Sequence, residues 1–530
     1  MAMVIRHIHF ADIFEAVADA IPDKPALVTP EVHLTYGELD QRATRLANHL
    51  RASGVGVGEH VGIHARNCAE WVEAFYACFK ARAVPVNVNY RYVENELRYL
   101  YDNSDCVAVV VAPEYVGALD AVSDALPHLR HRLTIGEEYE QALAAASPER
   151  DFGERSPDDV YIVYTGGTTG MPKGVLWRQE DWVLAALNAM RYGRPLESCE
   201  QVAEEAKAAP AQIVLLSAGP MMHGGTQWVS GNAHVAGGCF ALYTGAKYDP
   251  YGVLALAERS GTNSLTVLGD AMARPLAEAL LAPDRPQFDL SKLAAISNGA
   301  APLTAGVRDE LRAALPGVMI VDAYGSSETG SAAQRADAGE SYTAPRFTAG
   351  PDTAVFSHTL ERCDTGQVGL LARSGPIPLG YYKDPEKTAA TFPTIEGKRW
   401  AISGDEARIE DDGTITILGR GSSSINSGGE KIHPEEVESV LLQHPMIFDA
   451  AVVGTPSERW GEQVTALVEL REGMEMSPDE VQAHTKTLLA GFKAPKEVLF
   501  VEEVPRTPVG KVDYKQAKLD ALRLLGLPPK

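Results

Sequence analysis

One stretch constrains this chain more than any other: Tyr164-Thr165-Gly166-Gly167-Thr168-Thr169-Gly170-Met171-Pro172-Lys173-Gly174-Val175. The apolar run Val160 to Val163 enters it, and Val175-Leu176-Trp177 leaves it. Glycines let backbone N–H groups come close to an anion, and threonine hydroxyls add donors. Lys173 adds a compact positive charge. The ligand that fits such a segment is a phosphate. The spacing excludes a Walker A loop, because Lys173 follows Pro172 and precedes Gly174 rather than standing in Gly-Lys-Ser/Thr. The bland alternative is a Gly/Thr-rich surface turn. The length of the segment and its two apolar flanks favour the phosphate loop.

At 530 residues the chain is too long for one core, and two to four structural units are expected. A net charge of −23 argues against nucleic acid or an anionic membrane as partner. Anionic ligands must then be held by local lysines, arginines and backbone amides. The cysteines, Cys68, Cys78, Cys106, Cys199, Cys239 and Cys363, are irregularly spaced and suggest neither a zinc site nor a disulfide framework. No signal-peptide core and no apolar run of about 18 residues is present, so a cytoplasmic protein without integral membrane association is expected.

Short strand and helix patterns alternate along the first part of the chain, which predicts parallel strands with crossover helices. Leu34-Thr35-Tyr36-Gly37-Glu38-Leu39 reads as the packed start of a helix. A helix is expected over Glu180 to Arg191, and the polar stretch Gly193 to Ala211 reads as an exposed insertion. Strands are expected at Ile213 to Leu216, Cys239 to Tyr243, Leu265 to Leu268, Leu293 to Ser297 and Val318 to Asp322. In open α/β sheets ligands bind beyond the carboxyl ends of the strands. Three of these strand ends run into small residues with a few functional side chains. They are Pro220-Met221-Met222-His223-Gly224-Gly225, Ser297-Asn298-Gly299-Ala300-Ala301-Pro302 and Asp322-Ala323-Tyr324-Gly325-Ser326-Ser327-Glu328-Thr329-Gly330. Tyr324 offers a flat face for an adenine ring, Ser327 a hydroxyl for a phosphate, and Glu328 a hard oxygen that suits Mg²⁺. Taken singly, His223 also reads as a loop histidine and Glu328 as a carboxylate at a helix start.

The glycine loop resembles the signature loop of the adenylate-forming superfamily, which includes acyl-CoA synthetases, peptide-synthetase adenylation domains and luciferases. The three strand-end segments are similar to that superfamily's histidine, Gly-Ala-Pro and Tyr-Gly-x-Thr-Glu motifs, in the same order. The resemblance implies that Thr165, Gly166, Gly167, Thr168, Thr169, Gly170 and Lys173 close over the phosphates of ATP. It implies nucleotide contacts from Gly299, Ala300, Ala301, Asp322, Ala323, Tyr324 and Gly325, with Gly299, Ala300 and Tyr324 around the adenine. It also implies Ser327 on the α-phosphate, where the family more often has threonine. Glu328 and Thr165 are the implied Mg²⁺ ligands, and His223 is implied at the mouth of the acyl pocket.

From Ser331 the pattern changes to short strands and turns, which suggests a β-rich subdomain over about 331–420. Within it, Asp405 in Trp400-Ala401-Ile402-Ser403-Gly404-Asp405 resembles the family's ribose ligand, and Arg420 resembles a nucleotide ligand. Gly421-Ser422-Ser423-Ser424 is flexible by composition. Ser422 occupies the family's hinge position, where Asp or Lys is usual. Residues 421–530 read as a small, mobile α+β domain. A lysine in a Gly/Pro loop is ordinarily just solvated, but the resemblance makes Lys511, in Pro505-Arg506-Thr507-Pro508-Val509-Gly510-Lys511, the catalytic lysine of adenylation. Gly428-Gly429-Glu430-Lys431 is similar to the turn that faces CoA in a second conformation.

The expected architecture is α/β. A large N-terminal domain, 1–420, holds two doubly wound α/β subdomains and a small barrel-like one, and a mobile domain follows at 421–530. The implied reaction is ATP- and Mg²⁺-dependent conversion of a carboxylic acid to acyl-AMP and then to acyl-CoA. The loop exit, the Asn426-to-Lys431 turn and the insertion are similar to actinobacterial acyl-CoA ligases of lipid and steroid side-chain catabolism. The small residues after His223 favour a medium/long-chain or steroid-derived acid. The alternatives are an aryl or short acid, an adenylation enzyme that loads a carrier protein, and a nucleotide-binding regulator with a decayed site. The last is disfavoured because Lys511, Glu328 and Asp405 are all present. A homodimer is left open.

Overall fold

The structure is a computed structural model that describes residues 8–165, 171–187, 194, 196–299, 301, 303–336, 346–348, 350–420, 423–427, 430–457, 461–489, 491–507 and 510–528. Its largest sheet has eight strands. In spatial order they are Gly330–Ala336, Met319–Ser326, Ala295–Asn298, Ser264–Val267, Val214–Ser217, Cys239–Leu242, Pro25–Val28 and His33–Thr35. The six inner strands pair in parallel, as the alternating pattern predicts, and each edge is closed by an antiparallel strand. A second, parallel sheet holds Val84–Asn87, His60–His64, Cys106–Val111 and His131–Thr134. Its valine-rich strands are buried along their length, as suits a sheet covered on both faces.

The helix Tyr36–Ala52 begins where the sequence indicates. The Thr35 hydroxyl accepts from Glu38 N–H while the Glu38 carboxylate accepts from Thr35 N–H. Tyr36 is buried, and its hydroxyl donates to the Gly238 carbonyl at 2.6 Å. The helix expected over Glu180 to Arg191 spans Gln179–Ala186, and residues 188–193 lie outside the described set. The insertion expected to be exposed instead carries a helix, Cys199–Ala208, started by the Ser198 hydroxyl accepting from Gln201 N–H. Its Val202 is buried in the same core as Phe10 and Phe14.

The β-rich subdomain begins later than its expected start near 331. The strand Gly330–Ala336 turns back against Met319–Ser326 and belongs to the large sheet. The small antiparallel sheet runs Arg346–Thr348, Thr414–Arg420, Ala401–Ile409, Val368–Arg373 and Thr353–Phe356. The C-terminal unit packs the helices Pro434–Leu441, Pro478–Leu488 and Tyr514–Leu524 on a sheet that includes Ile447–Ser457 and Gly461–Leu470. Its core has its own apolar cluster around Ile432, Val437, Val452 and Val468. Among the described residues no helix is long and apolar enough to cross a membrane.

The C-terminal core also buries a carboxyl group. Glu438 accepts from Val452 N–H at 2.8 Å and from the Tyr514 hydroxyl at 2.9 Å. Burial, then the charge of Glu435, pushes its pKa from 4.5 up to about 8. A raised carboxyl pKa stabilises the folded state below its ordinary value, and that stability is lost as pH rises through the folded value. Glu438→Gln is therefore expected to flatten the fall in apparent Tm between pH 5 and 8, and to lie a few degrees above the parent at pH 8. Parallel curves for the two proteins would contradict a buried, protonated Glu438.

Candidate active site

The strand Val160–Thr165 pairs antiparallel with Lys173–Arg178, and Thr165 lies directly opposite Lys173. The two ends of the glycine segment are thus held side by side. Gly166, Gly167, Thr168, Thr169 and Gly170 lie outside the described residues. The Lys173 ammonium pairs with Asp384 at 2.9 Å and sits 5.8 Å from the centre of the Tyr381 ring. That contact, with Lys387 N–H also donating to Asp384, holds the Asp384 carboxyl below its usual range.

Glu328 stands at the turn of an antiparallel hairpin, between Met319–Ser326 and Gly330–Ala336, rather than at a helix start. Ser326 holds that turn by accepting from Glu328 N–H and exchanging bonds with Thr329. The Trp177 indole N–H donates to the Ser327 carbonyl at 2.9 Å, and the Tyr381 hydroxyl donates to Glu328 Oε1 at 2.9 Å. Gly325 is required here, because a Cβ at that position would lie 2.2 Å from the Gly330 carbonyl oxygen.

Two expected nucleotide residues meet directly. The Tyr324 hydroxyl donates to Asp405 Oδ2 at 2.5 Å, and the Ser403 hydroxyl donates to the same oxygen at 2.9 Å. The large sheet and the small sheet are thereby joined at the expected adenine and ribose positions. Asp405 also lies opposite Arg420 in the strand pairing. Asp322 is spent differently: its carboxylate accepts from Arg308 at 2.9 Å and from Asn298 at 3.1 Å. Asn298 further accepts from Gly269 N–H and donates to the Ala301 carbonyl, so it fixes the turn that contains Gly299. The backbone beside Gly299 is open, and a Cβ there would find only the Ala323 carbonyl, at 3.9 Å. Ala300 lies outside the described residues.

His223 caps the helix Gly224–Val235 through its backbone, while its ring is half-buried with Nε2 enclosed. Its Nε2 has no hydrogen-bond partner among the described residues. Burial, reinforced by the charges of Lys511 and Arg91, lowers its pKa to about 4, so the imidazole is neutral at ordinary pH. Asn87 ties this segment to the phosphate-loop strand by donating to the carbonyls of Tyr164 and Met222 and accepting from Tyr164 N–H.

The C-terminal unit packs against the N-terminal domain. Gly510, at φ +77°, brings its loop so close that a Cβ would lie 2.6 Å from the Ala271 Cβ. Arg506 stiffens the loop by donating to the Gly510 carbonyl at 2.5 Å and by clasping Asp449 through two further bonds. Across the interface Arg471 meets Glu278 and Glu310, each at 3.4 Å, and His433 meets the buried Glu406 at 3.4 Å. Ser422, Gly428 and Gly429 lie outside the described residues, as do the side chains of Arg420, Glu430 and Lys431. Sequence reasoning missed Asn87, Asn298, Tyr381 and Asp384, whose positions follow from contacts distant in sequence.

Two family models match the chain: AMP-binding enzyme over residues 14–382, and AMP-binding enzyme C-terminal domain over residues 436–511. The chain belongs to the AMP-binding enzyme family. It is 43% identical over 537 aligned positions to a 3-oxocholest-4-en-26-oate–CoA ligase of Rhodococcus rhodochrous, covering 96% of this chain and 95% of that protein. It is 42% identical to a medium/long-chain-fatty-acid–CoA/3-oxocholest-4-en-26-oate–CoA ligase of Mycobacterium tuberculosis, covering 96% of each chain. Among solved structures, ATP-bound MatB from Rhodopseudomonas palustris superposes with a TM-score of 0.82 at 26% identity, over 97% of this chain and 99% of that one. The fold of this AMP-binding enzyme is therefore the adenylate-forming one, with a large N-terminal α/β domain and a small C-terminal domain.

Proposed function

We propose that this AMP-binding enzyme is an ATP-dependent acyl-CoA ligase for steroid side-chain or medium/long-chain acids. The observations that most support this reading are the Lys511 charge felt at the His223 ring, the Glu328 hairpin held by Tyr381 and the Tyr324–Asp405 hydrogen bond. The identities of 42–43% to ligases named for such acids support the substrate class.

In the first half-reaction a carboxylate oxygen attacks the α-phosphorus of ATP. A P–O bond forms, the bond to pyrophosphate breaks, and acyl-AMP results. Lys511 and Lys173 supply positive charge, and Asp405 with Tyr324 holds the nucleoside. Such chemistry rests on positioning and on neutralising charge. The neutral His223 faces the acyl mouth without drawing a second carboxylate to itself. Among the described residues no cluster of three His, Cys, Asp or Glu side chains forms a metal cage. A single hard carboxylate such as Glu328, completed by phosphate oxygens, is the donor set that suits Mg²⁺. A bound Mg²⁺ would neutralise phosphate charge there. In the second half-reaction the CoA sulfur attacks the acyl carbon, AMP leaves, and the thiol proton passes to solvent. For that step the C-terminal unit turns about the segment at Ser422, removing Lys511 from the cleft.

Pyrophosphate release over a panel of acids, from acetate through palmitate, benzoates and steroid side-chain acids, tests the substrate class. Turnover confined to acetate or benzoates would reject it. Because the acyl tunnel is proposed to run between the His223 segment and Gly299, beside which the backbone is open, Gly299→Trp is expected to lower kcat/KM for the longest or bulkiest acid at least about 10-fold more than for a short one. An unchanged acid profile would remove Gly299 from the acyl tunnel.

A further inference from the structure

A single carboxylate that must receive a metal–nucleotide complex needs its orientation fixed from outside, since a glutamate on a hairpin turn has several free rotors. The structure provides that support from a distant segment. The short strand Gly380–Tyr381 lies against Lys173–Arg178, with Tyr381 opposite Val175. Leu379 N–H donates to the Leu176 carbonyl at 2.7 Å, and Tyr382 N–H donates to the Gly174 carbonyl at 2.8 Å. Tyr381 N–H itself donates to the Thr388 hydroxyl. The Tyr381 ring is buried and packs on Phe392, 5.8 Å between centres. Its backbone and ring are thus fixed on several sides, and its hydroxyl reaches Glu328 Oε1 at 2.9 Å across 53 residues of sequence. Oε2 of Glu328 carries no hydrogen bond among the described residues. Three residues further on, Asp384 holds Lys173, which leaves the phosphate loop.

We infer that Tyr381 is a positioning residue for adenylation. Its hydroxyl holds the Glu328 carboxylate so that the opposite oxygen faces the divalent cation carried by ATP, and the same turn, through Asp384, sets the resting place of Lys173. This rests on the assignment of Glu328 as the metal carboxylate. Partners that orient a metal ligand from behind are commonly worth 10- to 100-fold in metal affinity, that is, about 10-fold or more. The ring itself is not the device, since phenylalanine keeps the packing on Phe392 and the neighbouring Lys173.

The test uses the full chain with a non-hydrolysable ATP analogue and Mn²⁺ as probe. Free Mn²⁺ is read by electron paramagnetic resonance for the parent, Tyr381→Phe, Glu328→Gln and the double variant. Tyr381→Phe is expected to weaken Mn²⁺ binding about 10-fold, with cation-free nucleotide affinity unchanged. Glu328→Gln is expected to weaken Mn²⁺ binding at least as much, and the double variant to match Glu328→Gln alone, because the two residues act as one unit. Parental Mn²⁺ affinity in Tyr381→Phe, with a loss in Glu328→Gln, overturns the inference and leaves the metal carboxylate standing. Parental affinity in Glu328→Gln overturns both. Fully additive losses, or a loss of cation-free nucleotide binding in Tyr381→Phe, also overturn the inference, since each places the effect outside Glu328.

Discussion

Lys511→Ala is expected to lower acid-dependent pyrophosphate release by about 100- to 1,000-fold, while thioester formation from supplied acyl-AMP and CoA stays within about 3-fold of the parent. The reason is geometric. The Gly510–Lys511 loop packs against Ala271, and the Lys511 charge is felt at the His223 ring. A lysine there stabilises charge that develops as the carboxylate meets the α-phosphate. In the proposed thiol step the C-terminal unit takes another placement, in which this loop is withdrawn. Arg506, clasped to Asp449, holds the loop shape whether or not the lysine is present, so the loss is chemical rather than structural. Equal loss of both half-reactions would contradict the exchange of lids.

The largest stability effect is expected far from the chemistry in sequence, at Lys80. Its side chain is fully buried, and its ammonium lies 2.6 Å from both Glu15 and Asp40. Arg155 shares Glu15 and Arg150 shares Asp40, so three helices and the segment before the phosphate-loop strand meet in one ion network. Lys80→Met leaves one buried and one half-buried carboxylate, Asp40 and Glu15, short of a partner, a change that costs about 3–5 kcal/mol in buried pairs. The remaining arginines keep the loss near the lower figure. A fall in apparent Tm of about 5 °C or more is expected in thermal scans. A variant as stable as the parent would mean that the arginines alone satisfy both carboxylates.

Much of the fold was legible because it is local. The alternation of valine-rich runs with helical spacing gave parallel strands, and the segment Leu34 to Leu39 read as a helix start, which the structure shows is set by the Thr35–Glu38 capping box. The strand-end segments also carried their chemistry openly, and Tyr324 and Asp405, expected on one nucleotide, are hydrogen-bonded to each other. What was not legible depends on return of the chain. Gly330–Ala336 is short, polar and Ala-rich, and only its antiparallel pairing with Met319–Ser326 makes it a strand of the large sheet. The Cys199–Ala208 helix looked exposed because its polar residues outnumber Val202, the one side chain that it buries. Tyr381 and Asp384 sit in a Gly-Tyr-Tyr-Lys-Asp turn with no distinctive spacing. Their significance appears only when pairing with Lys173–Arg178 brings them to Lys173 and Glu328. Asn87 and Asn298 are similar cases, for each satisfies backbone groups of segments remote from its own.

The most direct test of the central claim supplies one steroid side-chain acid, 3-oxocholest-4-en-26-oate, with ATP, and measures pyrophosphate and acyl-CoA together, with and without CoA. The expected result is continuous turnover only with CoA, one pyrophosphate released for each acyl-CoA formed. A single turnover that stalls as bound acyl-AMP although CoA is present would contradict the assignment of CoA as acceptor and point to a carrier protein in its place.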